Sequence, residues 1–168
     1  MPDLPSPDSH HLSAAMGWLE LNCPADAQEE LAKIAPEFQT AAPVLETRWA
    51  VCAGVKNWEA ALSVAEVLVE KFPGRPVGWI HRAYALRRAT GGGLRAAWDA
   101  LLPAFEMFPR EPVIPYNLAC YAAQLDQPAE AMEWWQRALA SAPDVKQLKE
   151  MALADVDLQA LWDRIQAL

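Results

Sequence analysis

Histidine and cysteine, two residue types that often carry acid–base or nucleophilic catalysis, number only three each in this chain. Of its three histidines, His10 and His11 lie near the start, and His81 lies in the body of the sequence. His81 is therefore the sole candidate for a general base in the folded part. Cys120 would form a reactive thiol–imidazole pair with it only if the helices that carry them packed side by side, and no nearby carboxylate would orient the ring. We expect no catalytic residues and no enzymatic activity.

The cysteine pattern argues against a metal site and against a disulfide framework. Cys23, Cys52 and Cys120 lie about thirty or more residues apart, and no C-x-x-C pair occurs. The glycine run Gly91–Gly93 is not followed by the Lys and the Ser or Thr of a phosphate-binding loop. The sequence therefore predicts no metal and no cofactor, and we interpret the thiols as small buried hydrophobes.

Composition and charge indicate a globular protein with a substantial apolar core. The 168 residues are 53% hydrophobic, and 14 basic against 22 acidic residues give a net charge of −8. This balance disfavours nucleic-acid binding through bulk charge. No apolar run approaches the ~18 residues of a membrane span, and residues 1–11 do not resemble a secretion signal. We expect a cytoplasmic protein with neither a membrane nor a nucleic acid as partner.

A pattern of small and bulky residues recurs along the chain at a fixed spacing. Its last copy has a small residue, a bulky one four residues on, a small one seven on and a proline twelve on: Ala131, Trp135, Ala138 and Pro143. The pattern also stands 34 residues earlier, at Ala97, Leu101, Ala104 and Pro109. A further 36 residues earlier it stands at Ala61, Ala65, Leu68 and Pro73, and a fainter copy without the final proline comprises Ala27, Leu31 and Ile34. Periods of this length are typical of repeat architectures.

Each repeat is predicted to be a pair of helices, because apolar residues return at three- and four-residue steps without the alternation of strands. Asn57 is suited to cap a helix, Pro128 to open one and Gly91–Gly93 to separate two. Residues 1–10 are predicted to be a disordered tail, and residues 11–168 a single domain. The predicted helix pairs span residues 12–35, 43–72, 76–108 and 112–142, and a C-terminal cap spans 145–167.

The repeat spacing and two local motifs resemble those of the tetratricopeptide repeats (TPR). Residues 116–121 read YNLACY, a form frequent in such repeats, and Trp79 with Ala83 resembles the family's aromatic and small residue. The resemblance covers roughly residues 12–143, with departures at Arg48, Trp49, Arg82 and Asp126. It implies an all-α, right-handed superhelical solenoid of antiparallel helix pairs, with about three full repeats, a degenerate N-terminal pair and a capping helix.

The resemblance also implies a concave groove lined by the first helix of each repeat. In the second helix pair, its lining residues are predicted to be Glu46, Thr47, Ala50 and Ala53. The residues predicted to bind a peptide there are His81, Tyr84, Arg87, Arg88, Tyr116, Asn117, Cys120 and Gln124.

A local reversal of charge bears on the kind of peptide. Between Glu70 and Asp99 the chain has no acidic residue and six basic ones: Lys71, Arg75, Arg82, Arg87, Arg88 and Arg95. This stretch favours an acidic peptide as partner. Pairing of the arginines with Glu106 and Glu133 would instead leave a solvated face with no binding role.

The function implied by the resemblance is that of a non-catalytic scaffold or adaptor that binds a partner protein or peptide in the groove. The alternative is a self-assembling structural subunit or a small acidic chaperone of the secretion type. In that reading, an exposed Trp134 and the N-terminal tail mediate association, so both a monomer and a homodimer stay open. Binding of RNA through the stretch from Arg75 to Arg95 is a third, weaker hypothesis.

Overall fold

The computed structural model describes residues 4–167, which form helices joined by short turns and contain no strand. The predicted all-α class is confirmed. The α-helices are α1 (Asp8–Glu20), α2 (Pro24–Ala32), α3 (Ala42–Gly54), α4 (Trp58–Lys71), α5 (Pro76–Leu86), α6 (Leu94–Met107), α7 (Val113–Gln124), α8 (Pro128–Ser141), α9 (Val145–Ala154) and α10 (Trp162–Gln166). Two 3-10 segments, Pro36–Phe38 and Val156–Leu161, complete the regular structure of the described residues.

The chain divides into two compact units, the first ending at Gly91 and the second beginning at Gly92. The first unit contains α1–α5 and the second contains α6–α10. The helix pair predicted over residues 76–108 is therefore divided between the units at the glycine run. Gly91 and Gly93 have φ angles of 78° and 124°, which residues with a side chain rarely adopt. That residues 11–168 act as a single domain stays a prediction.

The repeated positions found in the sequence lie in the interior of each unit. The small residue that begins each copy is 0% exposed in all four second helices: Ala27, Ala61, Ala97 and Ala131. The position four residues on is also 0% exposed in every copy: Leu31, Ala65, Leu101 and Trp135. A short side chain at the first position lets a neighbouring helix approach closely, so the repeat marks where helices pack.

The turn inside three of the helix pairs has the same backbone conformation. Asn22, Lys56 and Asp126 have φ angles of 58°, 57° and 59°. They are spaced by 34 and 70 residues, so they occupy the same place in their repeats. This left-handed conformation favours glycine and tolerates Asn and Asp, which explains why Asp126 stands where the TPR pattern has a glycine.

The expected helix ends are largely confirmed. Asn57 caps α4, its side-chain oxygen accepting a hydrogen bond from the backbone N–H of Ala60 at 3.1 Å, and Pro128 opens α8. The prediction of a disordered tail over residues 1–10 is wrong for residues 8–10, because α1 begins at Asp8. The buried Asp8 carboxylate accepts a hydrogen bond from the backbone N–H of Ala35 at 2.7 Å, which ties the start of α1 to the segment after α2. Residues 1–3 of the predicted tail lie outside the described residues.

The expectation that Trp134 is exposed is wrong. It is 5% exposed and packs edge-on against Trp98 and Phe105 of α6, with ring centroids 5.7 and 5.0 Å away. The adjacent Trp135 faces Tyr116 of α7, with centroids 6.3 Å apart. Helix α8 is therefore covered on two faces, and an amphipathic pattern with one buried stripe underestimates its burial.

Two helical glycines allow a paired test of the packing. A Cβ added at Gly78 of α5 would lie 3.1 Å from Leu68 Cβ and 3.3 Å from Val69 N on α4, whereas one added at Gly17 of α1 would meet nothing within 4 Å. We expect Gly78→Ala to lower the free energy of unfolding by about 1–3 kcal/mol through overpacking. Gly17→Ala should raise it by about 0.5–1 kcal/mol, because alanine is the better helix former. Urea denaturation measures both, and equal effects of the two substitutions would contradict the close packing of α4 and α5.

Candidate functional site

The predicted groove residues lie on helices of different units. His81 and Tyr84 lie on α5, and Arg87 and Arg88 directly follow it in the first unit. Tyr116, Asn117, Cys120 and Gln124 all lie on α7 in the second unit. Steps of three and four residues place His81, Tyr84 and Arg88 on one side of their helix.

In the first unit, four rings and one guanidinium form an aromatic–arginine cluster: Trp49, Trp58, His81, Tyr84 and Arg88. The rings of Trp49 and His81 stack with centroids 3.8 Å apart and planes 5° from parallel. Tyr84 packs against both tryptophans, with centroids 5.8 Å from each. The cluster joins α3, α4 and α5 into one half-buried surface of stacked rings.

The guanidinium of Arg88 lies on this aromatic surface. Its central carbon is 3.6 Å from the centroid of Tyr84 and 5.3 Å from that of Trp58, and one terminal nitrogen donates a hydrogen bond to the backbone oxygen of Tyr84 at 3.0 Å. Within residues 4–167, no carboxylate lies within 4.0 Å of this guanidinium. The aromatic rings thus hold the group in place, and no acid of the described residues lies close enough to neutralise its charge.

Other arginines of the basic stretch already have contacts in the structure. Arg75 forms an ion pair with Glu46 at 2.9 Å, and Arg95 one with Asp99 at 3.1 Å. Arg82 lies over the ring of Trp79, 4.7 Å from its centroid. The positive charge of this stretch is therefore partly neutralised within the protein. Arg88 differs from Arg75 and Arg95 because no carboxylate among residues 4–167 lies within 4.0 Å of it.

Burial determines the charge state of His81. It lowers the pKa of the imidazole to about 4, because the charged form loses hydration. The ring is therefore neutral near pH 7 and too weakly basic for efficient proton abstraction there. His81 Nδ1 and Trp49 Nε1 are buried and have no hydrogen-bond partner among the described residues, so they contribute stacking area rather than polar contacts to the cluster.

In the second unit, the face of α7 that we expected to be open is covered by the protein itself. Tyr116 and Cys120 are 6% and 3% exposed. The hydroxyl of Tyr116 donates a hydrogen bond to a carboxylate oxygen of Asp155 at 2.9 Å, and the thiol of Cys120 approaches the same oxygen at 3.6 Å. The side chain of Gln124 donates to the backbone oxygen of Asp157 at 3.0 Å. The expectation that Tyr116 and Cys120 line an open groove is therefore wrong.

Asp155 connects the covered face of α7 to the C-terminal segment Val156–Leu161. One of its carboxylate oxygens accepts from the backbone N–H of Asp157 at 3.0 Å, which caps the segment, while the other accepts from Tyr116. Burial and the negative neighbours raise the pKa of the Tyr116 hydroxyl well above its usual value near 10, so the hydroxyl stays a donor. The contact of Asp155 with Tyr116 joins residues 39 positions apart, so the sequence near either residue gives no signal of it.

Metal-ligating clusters and membrane-spanning helices are both absent from the described residues. Within residues 4–167, no three His, Cys, Asp or Glu side chains are grouped so that they would hold a metal ion. None of the described helices is long and apolar enough to cross a lipid bilayer.

Comparison with solved structures identifies the fold of this chain. No family model and no curated protein matches the sequence. Among solved structures, a thermophilic TPR protein of Thermus thermophilus, TTC0263, superposes with a TM-score of 0.71 at 18% identity, covering 96% of this chain and 100% of that chain. MamA superposes with a TM-score of 0.67 at 14% identity, covering 82% of this chain and 79% of that chain. The chain therefore has the helical-repeat fold of TPR proteins, as its sequence predicts.

The low pKa of His81 generates a prediction about stability and pH. An unfolded histidine titrates near 6.5, whereas burial lowers the folded pKa to about 4. As pH falls, the unfolded state therefore binds the proton first. The contribution of His81 to the free energy of unfolding is fully present above about pH 6.5 and is lost as pH falls toward 4. We expect this contribution to reach about 3 kcal/mol.

Urea denaturation at several pH values measures this contribution. His81→Gln should flatten the dependence of the unfolding free energy on pH between about 6.5 and 4. His10→Gln is the matched control, because His10 is exposed, and it should leave the dependence as in the wild type. An H81Q protein with the wild-type slope would contradict the buried, neutral imidazole.

Proposed function

We propose that this protein is a non-catalytic interaction module that binds an acidic segment of a partner protein on the first unit, at the aromatic–arginine cluster. The observation that carries the proposal is Arg88, a guanidinium held on two aromatic rings with no carboxylate neighbour among residues 4–167. The helical-repeat fold supports it, since such folds present extended surfaces made from the first helix of each repeat.

Arg88 has the chemistry to recognise a carboxylate. A guanidinium carries five N–H donors in a rigid plane, and the backbone oxygen of Tyr84 accepts from one of them. Its stacked position removes much of the entropy that an arginine side chain loses on binding, because the rings already restrict it. A carboxylate that reached the outer edge of this plane would form the charge-assisted hydrogen bonds that are stronger than neutral ones.

The rings around Arg88 supply flat area for the rest of the segment. Tyr84, Trp49 and His81 are half-buried, so part of their surface faces solvent. Rings present contact area at a low cost in conformational entropy, which suits recognition of an extended peptide. His81 acts here as a neutral aromatic surface and Arg87 as a second, half-buried cation beside Arg88.

The residues of the second unit that the sequence predicted to bind a peptide are not part of the proposed surface. Tyr116 and Cys120 are excluded because Asp155 covers them. Asn117 and Gln124 keep accessible surface, but their amide groups already donate to the backbone oxygens of Val113 and Asp157. Self-assembly through Trp134 is not proposed, because that ring is buried against α6.

A display experiment tests this proposal with a matched pair of arginines. Arg137 lies on α8, the second helix of its pair, and its guanidinium carbon is 4.2 Å from the centroid of the Trp134 ring. It is therefore stacked on an aromatic ring as Arg88 is, but it lies outside the proposed binding surface. We would select peptides from a library of random phage-displayed dodecapeptides on the wild-type protein and measure their affinities by fluorescence polarisation. We expect enrichment of Asp and Glu, and Arg88→Gln should weaken binding by about ten- to a hundredfold because a charge-assisted contact is lost.

Arg137→Gln should leave these affinities within about twofold of the wild type, since stacked arginines outside the binding surface contribute little. Far-ultraviolet circular dichroism of both variants controls for folding. Peptides without acidic enrichment, or equal losses in the two variants, would contradict the assignment of the surface to Arg88.

A further inference from the structure

A cleft between α1 and α3 is a second feature of the first unit with the properties of a binding site. Its volume is 340 Å³, near the lower end of the about 300–1,000 Å³ typical of ligand pockets, so it suits one or two side chains. Most of its lining is apolar or small, with two carboxylates: Met16, Leu19, Glu20, Pro43, Glu46, Thr47 and Ala50. Met16 is 52% exposed, and methionine is a side chain that adapts to different ligands.

The charged side chains that line this cleft are opposite in sign to the guanidinium of the aromatic–arginine cluster. They are the carboxylates of Glu20 and Glu46, and the other lining residues are uncharged. Carboxylates in a cleft attract cationic groups toward it.

Glu46 in the cleft is incompletely compensated by its own partner. It forms the ion pair with Arg75, yet burial still raises the pKa of its carboxyl because desolvation outweighs the attraction of that arginine. A second cation nearby would stabilise the charged form. Glu20 on α1 is exposed and is the second carboxylate of the lining.

We propose that the cleft between α1 and α3 binds a lysine or arginine, with an adjacent aliphatic side chain, from the same partner segment whose carboxylate contacts Arg88. This inference rests on the proposed function and specifies the partner: an extended segment with a basic–aliphatic part and an acidic part. The cation lies between Glu20 and Glu46, and the aliphatic side chain packs on Met16, Leu19 and Pro43.

The packing of the first unit sets the spacing of the two parts. Glu46 of the cleft pairs with Arg75 at the start of α5, whereas Arg88 follows the end of that helix, 13 residues later. Thirteen residues of helix span about 20 Å, and an extended chain advances about 3.3 Å per residue. The basic and acidic positions of the bound segment are therefore separated by roughly six residues.

A charge swap tests the cleft independently of Arg88. The probes are the peptides selected on the wild-type protein and synthetic copies in which the conserved basic position is replaced by glutamate. Glu20→Lys should weaken the parent peptides by about tenfold, because like charges are brought together. The same variant should bind the glutamate-substituted copies better than the wild type does, which isolates the pairwise interaction.

Glu29→Lys is the matched control, since Glu29 is an exposed residue of α2 outside the cleft. It changes net charge equally and should alter affinity by less than about twofold. Peptides that depend on Arg88 but have no basic position, or that respond equally to both charge reversals, would overturn the cleft and leave the proposed function standing. Failure to enrich any peptide would overturn both the cleft assignment and the proposed function. If the wild type forms a dimer that Glu20→Lys abolishes, the cleft binds a second copy of the chain instead.

Discussion

Close packing at one repeated position is the constraint on which the rest of this structure depends. A helix pair has more apolar surface than it can cover by itself, so each pair must bury a face against the next. Ala27, Ala61, Ala97 and Ala131 are all fully buried, and the residue four positions on is buried beside each of them. What else packs on the first helices then decides which of their side chains reach the surface.

The two units use those first-helix sides differently. In the first unit, α3 and α5 present stacked rings beside the guanidinium of Arg88, which has no carboxylate within 4.0 Å among residues 4–167. Helices α1 and α3 of the same unit line a cleft that contains Glu20 and Glu46. In the second unit, the equivalent side of α7 is sealed by the carboxylate of Asp155. The same repeated helix pair therefore leaves rings and a guanidinium partly exposed in one unit and has its corresponding side covered in the other.

The sequence predicts the features that depend on neighbouring residues or on the repeat. The helix pairs, the cap at Asn57 and the opening proline of α8 follow from local spacing and are confirmed. The errors all concern contacts between distant residues: Asp8 with Ala35, Trp134 with α6 and Tyr116 with Asp155. A side chain's exposure depends on what the rest of the chain brings against it, and periodicity along one helix does not contain that information.

The aromatic–arginine cluster is an intermediate case, since the sequence identified His81, Tyr84 and Arg88 but not the stacking of Trp49 and Trp58 on them.

The difference between the two surfaces can be measured directly by hydroxyl-radical footprinting of the folded protein, with mass spectrometry of the modified tyrosines. Tyr84 is half-buried beside Arg88, whereas Tyr116 is 6% exposed beneath Asp155. The structure predicts that Tyr84 is modified several-fold faster than Tyr116, and that unfolding in urea makes their rates similar. Equal rates in the folded protein would contradict the account, because α7 would then be as open as α5.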